Sequence, residues 1–388
     1  MRAGRSRLAV IFLTVLIDLI GFGLILPILP YYSRAFEASG FAYGALVGVF
    51  SLMQFAATVV LGRLSDRLGR RPVLLGTIAL AVAGHLIFAF AASYAMLFAA
   101  RAMAGLAAGN ISVAQAYIAD VTTPAERSRS MGLIGAAFGL GFVLGPALGG
   151  FAVHWGGPHA AGLVAAGLCL VNLVSAWVIL EESLETSHRA TRPLLDAEHM
   201  RRGMTDAALR PPFLVFSIVP FAFAGYIVAL PLWAEARFGW GERDLAAYFT
   251  LIGICAVVVQ GWAFGKIQPY TNDRTLAMIG CLGMACGLAI LPILPTSGWV
   301  YAAVIPYAVS NSLAAPALTG IISSLADPTE QGAMIGAAQS YSALGRFSGP
   351  LLFGWIYDGV GANEALLGAA LVMGLGAVVA HAIRLPNV

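Results

Sequence analysis

Residues 131–150 read MGLIGAAFGLGFVLGPALGG, and residues 335–354 read IGAAQSYSALGRFSGPLLFG. Gly132, Gly141, Gly145 and Pro146 of the first stretch reappear as Gly336, Gly345, Gly349 and Pro350 of the second, always 204 positions later. Pro124 and Glu126 map by the same offset onto Pro328 and Glu330, so the repeat takes in a polar loop as well as the helix after it. The chain therefore reads as a tandem duplication. In an apolar chain, two halves related in this way point to a transporter with its site between them.

Composition supports a membrane setting. With 59% hydrophobic residues, 11% charged residues and a mean hydropathy of +0.84, the 388 residues do not describe a soluble domain. Crossing a hydrocarbon core of roughly 30 Å takes about 20 helical residues. Stretches of this length run approximately from Leu8 to Tyr31, Tyr43 to Leu61, Pro72 to Ala92, Ala95 to Ala119, Met131 to Val153 and Ala160 to Leu180. A second six run from Phe213 to Ala234, Leu245 to Phe264, Thr275 to Leu294, Trp299 to Leu325, Ala333 to Tyr357 and Asn363 to Ala382. The expected fold is all-α, twelve transmembrane helices in two six-helix bundles. Residues 1–180 would form the first bundle and 213–388 the second. The polar stretch 181–212, with acids and bases mixed and no long apolar run, reads as a linker. The first span is too long for a cleaved signal and is expected to be retained.

Orientation follows from the basic residues, which stay cytoplasmic near helix ends. Of 22 Lys and Arg, 17 fall on one side, including Arg63, Arg67, Arg70, Arg71, Arg127, Arg129, Lys266 and Arg274. Arg34, Arg237 and Arg243 fall on the other, and Arg101 and Arg346 lie within spans. Both termini are thus expected in the cytoplasm, with the chain multi-pass in the cell's inner membrane. The net charge of +3 reflects this topology and gives no reason to expect nucleic-acid binding. The four cysteines, Cys169, Cys255, Cys281 and Cys286, lie in apolar helices without metal-ligand partners, so neither disulfide, metal nor cofactor is expected.

The run Gly62-Arg63-Leu64-Ser65-Asp66-Arg67-Leu68-Gly69-Arg70-Arg71-Pro72 falls between the second and third spans. An ordinary basic loop accounts for the arginines, but not for the aspartate among them or the bracketing glycines. It resembles the loop pattern G-x-L-x-D-R-x-G-R-R/K of the major facilitator superfamily, matched at each fixed position, and the resemblance extends over the whole chain. It implies a conformational latch. Asp66 would face the N-terminus of the eleventh helix, near Gly332, and the arginines would meet Asp120 at the end of the fourth. The equivalent loop of the second half is eroded to Gly265-Lys266 and Asp273-Arg274.

Gly141, Gly145 and Gly149 share one helix face and permit close packing. The fuller pattern Gly132-x8-Gly141-x3-Gly145-Pro146-x2-Gly149-Gly150 resembles the antiporter motif of drug-efflux members and implies export. Gly349 and Pro350 repeat part of it.

Charges inside a bilayer are costly and mark candidate sites. Asp18 lies eleven residues past Arg7, roughly 16 Å deep, near the bilayer centre. Desolvation penalises the charged form of such a carboxyl, which suits it to carry a proton at neutral pH; a purely structural hydrogen-bonding role is the alternative. The stretch from Leu16 to Pro27 resembles the first helix of tetracycline-efflux carriers, acid included. Arg101-x3-Gly105-x3-Gly109 is similar to the family motif whose arginine is associated with proton transfer, with pairing to backbone carbonyls as the alternative. Arg346 has no acid at membrane depth in its own half and suits either an anionic substrate group or a carbonyl-lined structural position. Gln54, His85, Asn110, Gln115, Gln260, Asn311 and Gln339 are expected to look inward. Phe223, Tyr226, Trp233 and Trp262 are candidates to line an apolar drug pocket.

Tetracycline carriers also hold an acid in the third span, a histidine in the eighth and an acid in the ninth. Here Gly84, with His85 beside it, Ala256 and Met284 stand at those positions. These departures count against recognition of a magnesium–tetracycline chelate. The expected function is a proton-coupled antiporter, working as a monomer in the lipid bilayer and exporting a small amphipathic or drug-like compound by alternating access. A symporter or importer of a small metabolite on the same fold is the alternative. No nucleophile–base constellation, nucleotide loop or charged ring suggests an enzyme or a channel.

Overall fold

A computed structural model describes residues 2–183, 197–327 and 330–384, with side chains throughout except at 2–7, 124–129 and 197. The middle of the linker and the repeated Pro124, Glu126 and Pro328 therefore lie outside the residues whose side chains are described. The protein is 88% helical, and no strand occurs among the described residues. In hydrocarbon the backbone must satisfy its own hydrogen bonds, which leaves an apolar chain of this composition the helix.

The helices run α1 (Arg2–Ile25), α2 (Leu29–Arg34), α3 (Gly40–Leu68), α4 (Arg70–Ala89), α5 (Tyr94–Ala108), α6 (Ile111–Val121) and α7 (Pro124–Ile179). After the linker come α8 (Ala197–Thr205), α9 (Arg210–Phe238), α10 (Glu242–Val258), α11 (Phe264–Ile267), α12 (Asp273–Ile290), α13 (Ser297–Leu325), α14 (Gln331–Gly359) and α15 (Ala362–His381). Among the described residues, ten stretches are long and apolar enough to cross a membrane. One of them, Ser130–Ile179, is 50 residues long and bends where Gly157 adopts φ +66°. Trp155, Val178 and Leu371 are 74%, 71% and 68% exposed, an outward apolar face that only lipid makes tolerable.

Three expected boundaries shift for local reasons. The first span does not run unbroken to Tyr31: α1 ends at Ile25, and Pro27 and Pro30, which lack backbone N–H donors, attend the turn into α2. The fourth span is broken between α5 and α6 at Gly109-Asn110. The Gly62–Pro72 run is not a free loop, because α3 stays helical to Leu68 and only Gly69, at φ +104°, turns the chain into α4. The eighth span passes through a π-helical turn at Val259–Ala263, a local widening often found at functional positions.

The chain forms two compact units. The first comprises residues 1–37, 49–195 and 242–250; the second comprises 38–48, 196–241 and 251–388. In the first, α1 and α4 both pack on α7 around Ile11, Val15, Leu74, Ile78, Val113, Tyr117 and Ala137. In the second, α9 packs against α14 and α15, and α12 against α13 and α15. The linker is not wholly extended: its α8 lies on α14, where Arg202 Nη1 reaches Glu330 Oε2 at 2.6 Å and Tyr341 Oη donates to the Met200 carbonyl.

Candidate functional site

Asp18 and Arg101, 83 residues apart in sequence, line one small cavity of the first unit. Its wall is completed by Phe22, Phe50, His85 and alanines at 81, 104, 107 and 108. The space open to the centre of a water molecule is about 20 Å³, enough for about one water and far too little for a drug-sized molecule. The break between α5 and α6 matters here. It turns Asn110, fully buried, so that its Nδ2 donates to Asp18 Oδ2 at 2.5 Å, while its Oδ1 has no protein partner among the described residues. Arg101 is 2% exposed and lies over aromatic faces, 4.5 Å from the Phe50 centroid and 5.8 Å from Phe22. These cation–π contacts offset part of the cost of burying the guanidinium, which lines the same cavity as the acid. His85 is buried with Nδ1 lacking a partner among the described residues. Gly21 makes room for it, since a Cβ there would lie 2.9 Å from His85 Nε2.

The basic run beside α4 forms a compact ionic knot. Arg70 Nη1 lies 2.6 Å from Asp66 Oδ1 and donates to Ser65 Oγ, while its Nε donates to Asp120 Oδ2 at 3.1 Å. Asp120 thus meets Arg70, as the sequence suggests. Arg67 is exposed, and Gly62 sits partly buried in α3. Glu182, which sequence reasoning passed over, accepts the backbone N–H groups of Arg70 and Arg71 at 2.7 and 3.2 Å and so satisfies the start of α4. Its position just past the end of the sixth span was the available signal. Glycine is favoured at 69 because φ +104° is a backbone conformation that L side chains rarely adopt, and a Cβ would also press on the Glu182 carboxylate.

The repeated glycines do the same work in each unit. A Cβ on Gly141, Gly145 or Gly149 would strike Leu19, Gly23 or Leu24 of α1 at 2.4–2.8 Å. A Cβ on Gly345 or Gly349 would strike Ser217 or Phe221 of α9 at 2.5 and 2.2 Å. Pro146 abuts Gly23 in the first unit, and Pro350 abuts Gly44 in the second.

A further glycine stripe lies on α3. Gly40, Gly44 and Gly48 of α3 lie at i, i+4, i+8 and face α14 within the second unit. There Asp358 accepts the N–H groups of Gly40 and Phe41 at 2.7 and 2.8 Å, a carboxylate on a helix N-terminus. In the first unit, Arg243 at the start of α10 meets His154 Nδ1 of α7.

The remaining candidates scatter. Tyr226 is fully buried against Tyr307, and Trp233 is buried with Nε1 donating to Asn363 Oδ1 at 2.9 Å. Gln115, Gln260 and Gln339 are exposed, whereas Gln54 and Asn311 are partly buried. Trp262 is 62% exposed beneath the Lys266 ammonium. Arg346 is partly buried in the middle of α14, with Nη1 donating to Ser342 Oγ at 2.6 Å. No cluster able to hold a metal ion occurs among the described residues.

Known proteins share this architecture. The chain is 32% identical over 356 residues to a class B tetracycline resistance protein of Escherichia coli, covering 88% of this chain and 86% of that one. It is 28% identical over 372 residues to Multidrug resistance protein 2 of Bacillus subtilis, covering 93% and 92%. The crystal structure of the human organic anion transporter MFSD10 superposes with a TM-score of 0.71 at 24% identity, over 97% of this chain and 99% of the other, which supports the fold. The family model described as Major Facilitator Superfamily matches residues 11–350, and the chain belongs to that family of multi-pass membrane transporters, which are not enzymes.

Proposed function

We propose that the protein is a proton-coupled antiporter of the inner membrane that exports a small amphipathic compound. It would work as a monomer with both termini cytoplasmic, and twelve spans in two six-helix halves, 1–180 and 213–388, would alternate about a central pathway. The observation that carries this is the shared cavity of Asp18 and Arg101, where a carboxyl, a buried cation and room for about one water come together. A cation held by Phe22 and Phe50 favours the ionised carboxylate when close to it. Movement of α1 relative to α5 would then alter proton affinity between states, as antiport requires. Asn110 would hold Asp18 in place in either protonation state, because an amide donates to a carboxylate or a carboxyl oxygen. The small size of the cavity suits it to a proton rather than to the compound, which would bind elsewhere.

Resistance proteins for tetracycline and multiple drugs among the relatives support efflux as the direction. Gly84, Ala256 and Met284 argue against a magnesium–tetracycline chelate as the cargo. The driving force is sufficient: one pH unit supplies about 1.4 kcal/mol per proton and 100 mV about 2.3 kcal/mol per charge. The Arg70 knot would steady one state, and the Asp358 contact with the start of α3 would have to release in another.

Internal pH in energised inverted vesicles tests the reading. Compound-dependent proton efflux in wild type and its loss in Asp18→Asn is the expected result, with a panel of tetracycline, a fluoroquinolone and a lipophilic cation. Equal proton movement in the variant would remove Asp18 from the proton path, and transport of a compound without proton movement would remove coupling.

A further inference from the structure

Among the charged side chains of the second unit, Arg346 stands apart in depth. It is 15 residues from the start of α14 and 13 from its end, roughly 20 Å from either terminus. The described acids of that unit, Glu235, Asp273, Glu330, Asp358 and Glu364 among them, lie at or near helix termini. The guanidinium makes one hydrogen bond among the described residues, to Ser342 Oγ, and no ion pair. Its remaining nitrogens are not sealed against protein, for none is among the buried polar atoms left without a partner. On helical spacing Gln339, Ser342 and Arg346 fall at i, i+3 and i+7, one polar stripe on α14. The Gln339 amide is exposed and makes no hydrogen bond among the described residues.

A cation at mid-bilayer depth calls for a counter-charge. In the first unit Arg101 has aromatic faces around it and a carboxylate in its cavity; Arg346 has a serine. A planar guanidinium fork matches a carboxylate through two parallel N–H donors, and the Gln339 amide adds a further donor about two turns away on the same stripe. We infer that the missing anion arrives with the cargo: the transported compound is a small amphipathic carboxylate, and Arg346, with Gln339 and Ser342, forms its anion subsite. This rests on the antiport reading above for direction and coupling. Exchange of one entering proton for one departing monoanion moves two positive charges inward, so a membrane potential drives the carboxylate even without a pH gradient.

The test uses full-length protein in inverted vesicles with two probes of matched size, 2-naphthoate and 2-naphthylmethylammonium, and follows probe uptake together with internal pH. Wild type should accumulate the carboxylate under an imposed potential and reject the ammonium. Arg346→Gln should lower carboxylate uptake by about tenfold or more, the loss of one charge-assisted contact. Arg346→Lys, which keeps the charge but loses the fork, should fall between the two and decides the matter if the glutamine variant does not fold. Uptake of the ammonium but not the carboxylate, or of neither probe, by wild type overturns the inference, as does wild-type carboxylate uptake in Arg346→Gln. Ammonium uptake with proton movement would overturn it while leaving antiport intact; carboxylate uptake without proton movement would uphold the subsite and remove proton coupling.

Discussion

Arg101 and Arg346 are the two arginines the chain places deep within its spans, one in each unit, and their surroundings differ. Arg101 is packed between Phe22 and Phe50, with Asp18 and His85 on the same cavity wall. Arg346 makes one hydrogen bond among the described residues, to Ser342, and the described acids of its own unit lie at or near helix termini. The helix contacts beneath these sites are nonetheless alike: Gly145 lies on α1 much as Gly349 lies on α9. Duplication preserved the backbone contacts that glycine makes possible, while the polar chemistry diverged. A close helix crossing tolerates no side chain, whereas a charge inside the bilayer is retained only where it has a use.

The likeness of the scaffolds can be broken first. Gly349→Val drives a side chain into the Phe221 carbonyl and Gly145→Val drives one into Gly23, with backbone on the far side that cannot step aside. Each should cost about 3 kcal/mol and lower the thermal midpoint of detergent-purified protein, through overpacking. Tolerance of either would mean that the repeats do not share their packing.

The unlike ends come next. Arg70→Ala removes contacts to Asp66, Asp120 and Ser65 and leaves Asp120 without its guanidinium, a loss of about 2–3 kcal/mol. The corresponding Lys266→Ala removes a cation–π contact with the exposed Trp262 and should cost less than about 1 kcal/mol. Equal losses in thermal unfolding would erase the asymmetry between the two loops.

Supplying the acid that Arg346 lacks sharpens the comparison between the sites. Ser342→Asp puts a carboxylate one turn before the guanidinium and should reduce transport of 2-naphthoate about tenfold by competing for the cation. Unchanged transport would show that Arg346 is not where the anion binds. The smallest effect has the opposite sign. Gly132→Ala and Gly336→Ala fill open space in helices, and each should raise stability by about 0.5–1 kcal/mol. A loss at either would reveal a close contact specific to that repeat.

Much of this was legible beforehand. The 204-residue offset, the apolar stretches and the Gly62–Pro72 run give the helical membrane fold and the family, and Arg70 does meet Asp120. Asp18 and Arg101 could be singled out because a charge in an apolar helix is conspicuous at any distance along the chain. Glu182, just past the end of α7, and Asp358, in the last turn of α14, carry only a weak signal, for an acid near a helix end looks like any other until the amides it caps are known. The Gly40, Gly44 and Gly48 stripe was visible as a spacing, but spacing names no partner.

The sequence by itself determined that the chain is helical, membrane-embedded, duplicated and a member of its transporter family, because hydrophobic length and glycine position act locally or repeat in register. The tertiary structure alone decided which of the buried polar groups meet. It set the Asn110 amide, at the join of α5 and α6, against Asp18, gave Arg101 two aromatic faces, and paired Arg346 with Ser342. Those outcomes depend on the rotation and depth of helices packed against one another, which no pattern along a single helix specifies.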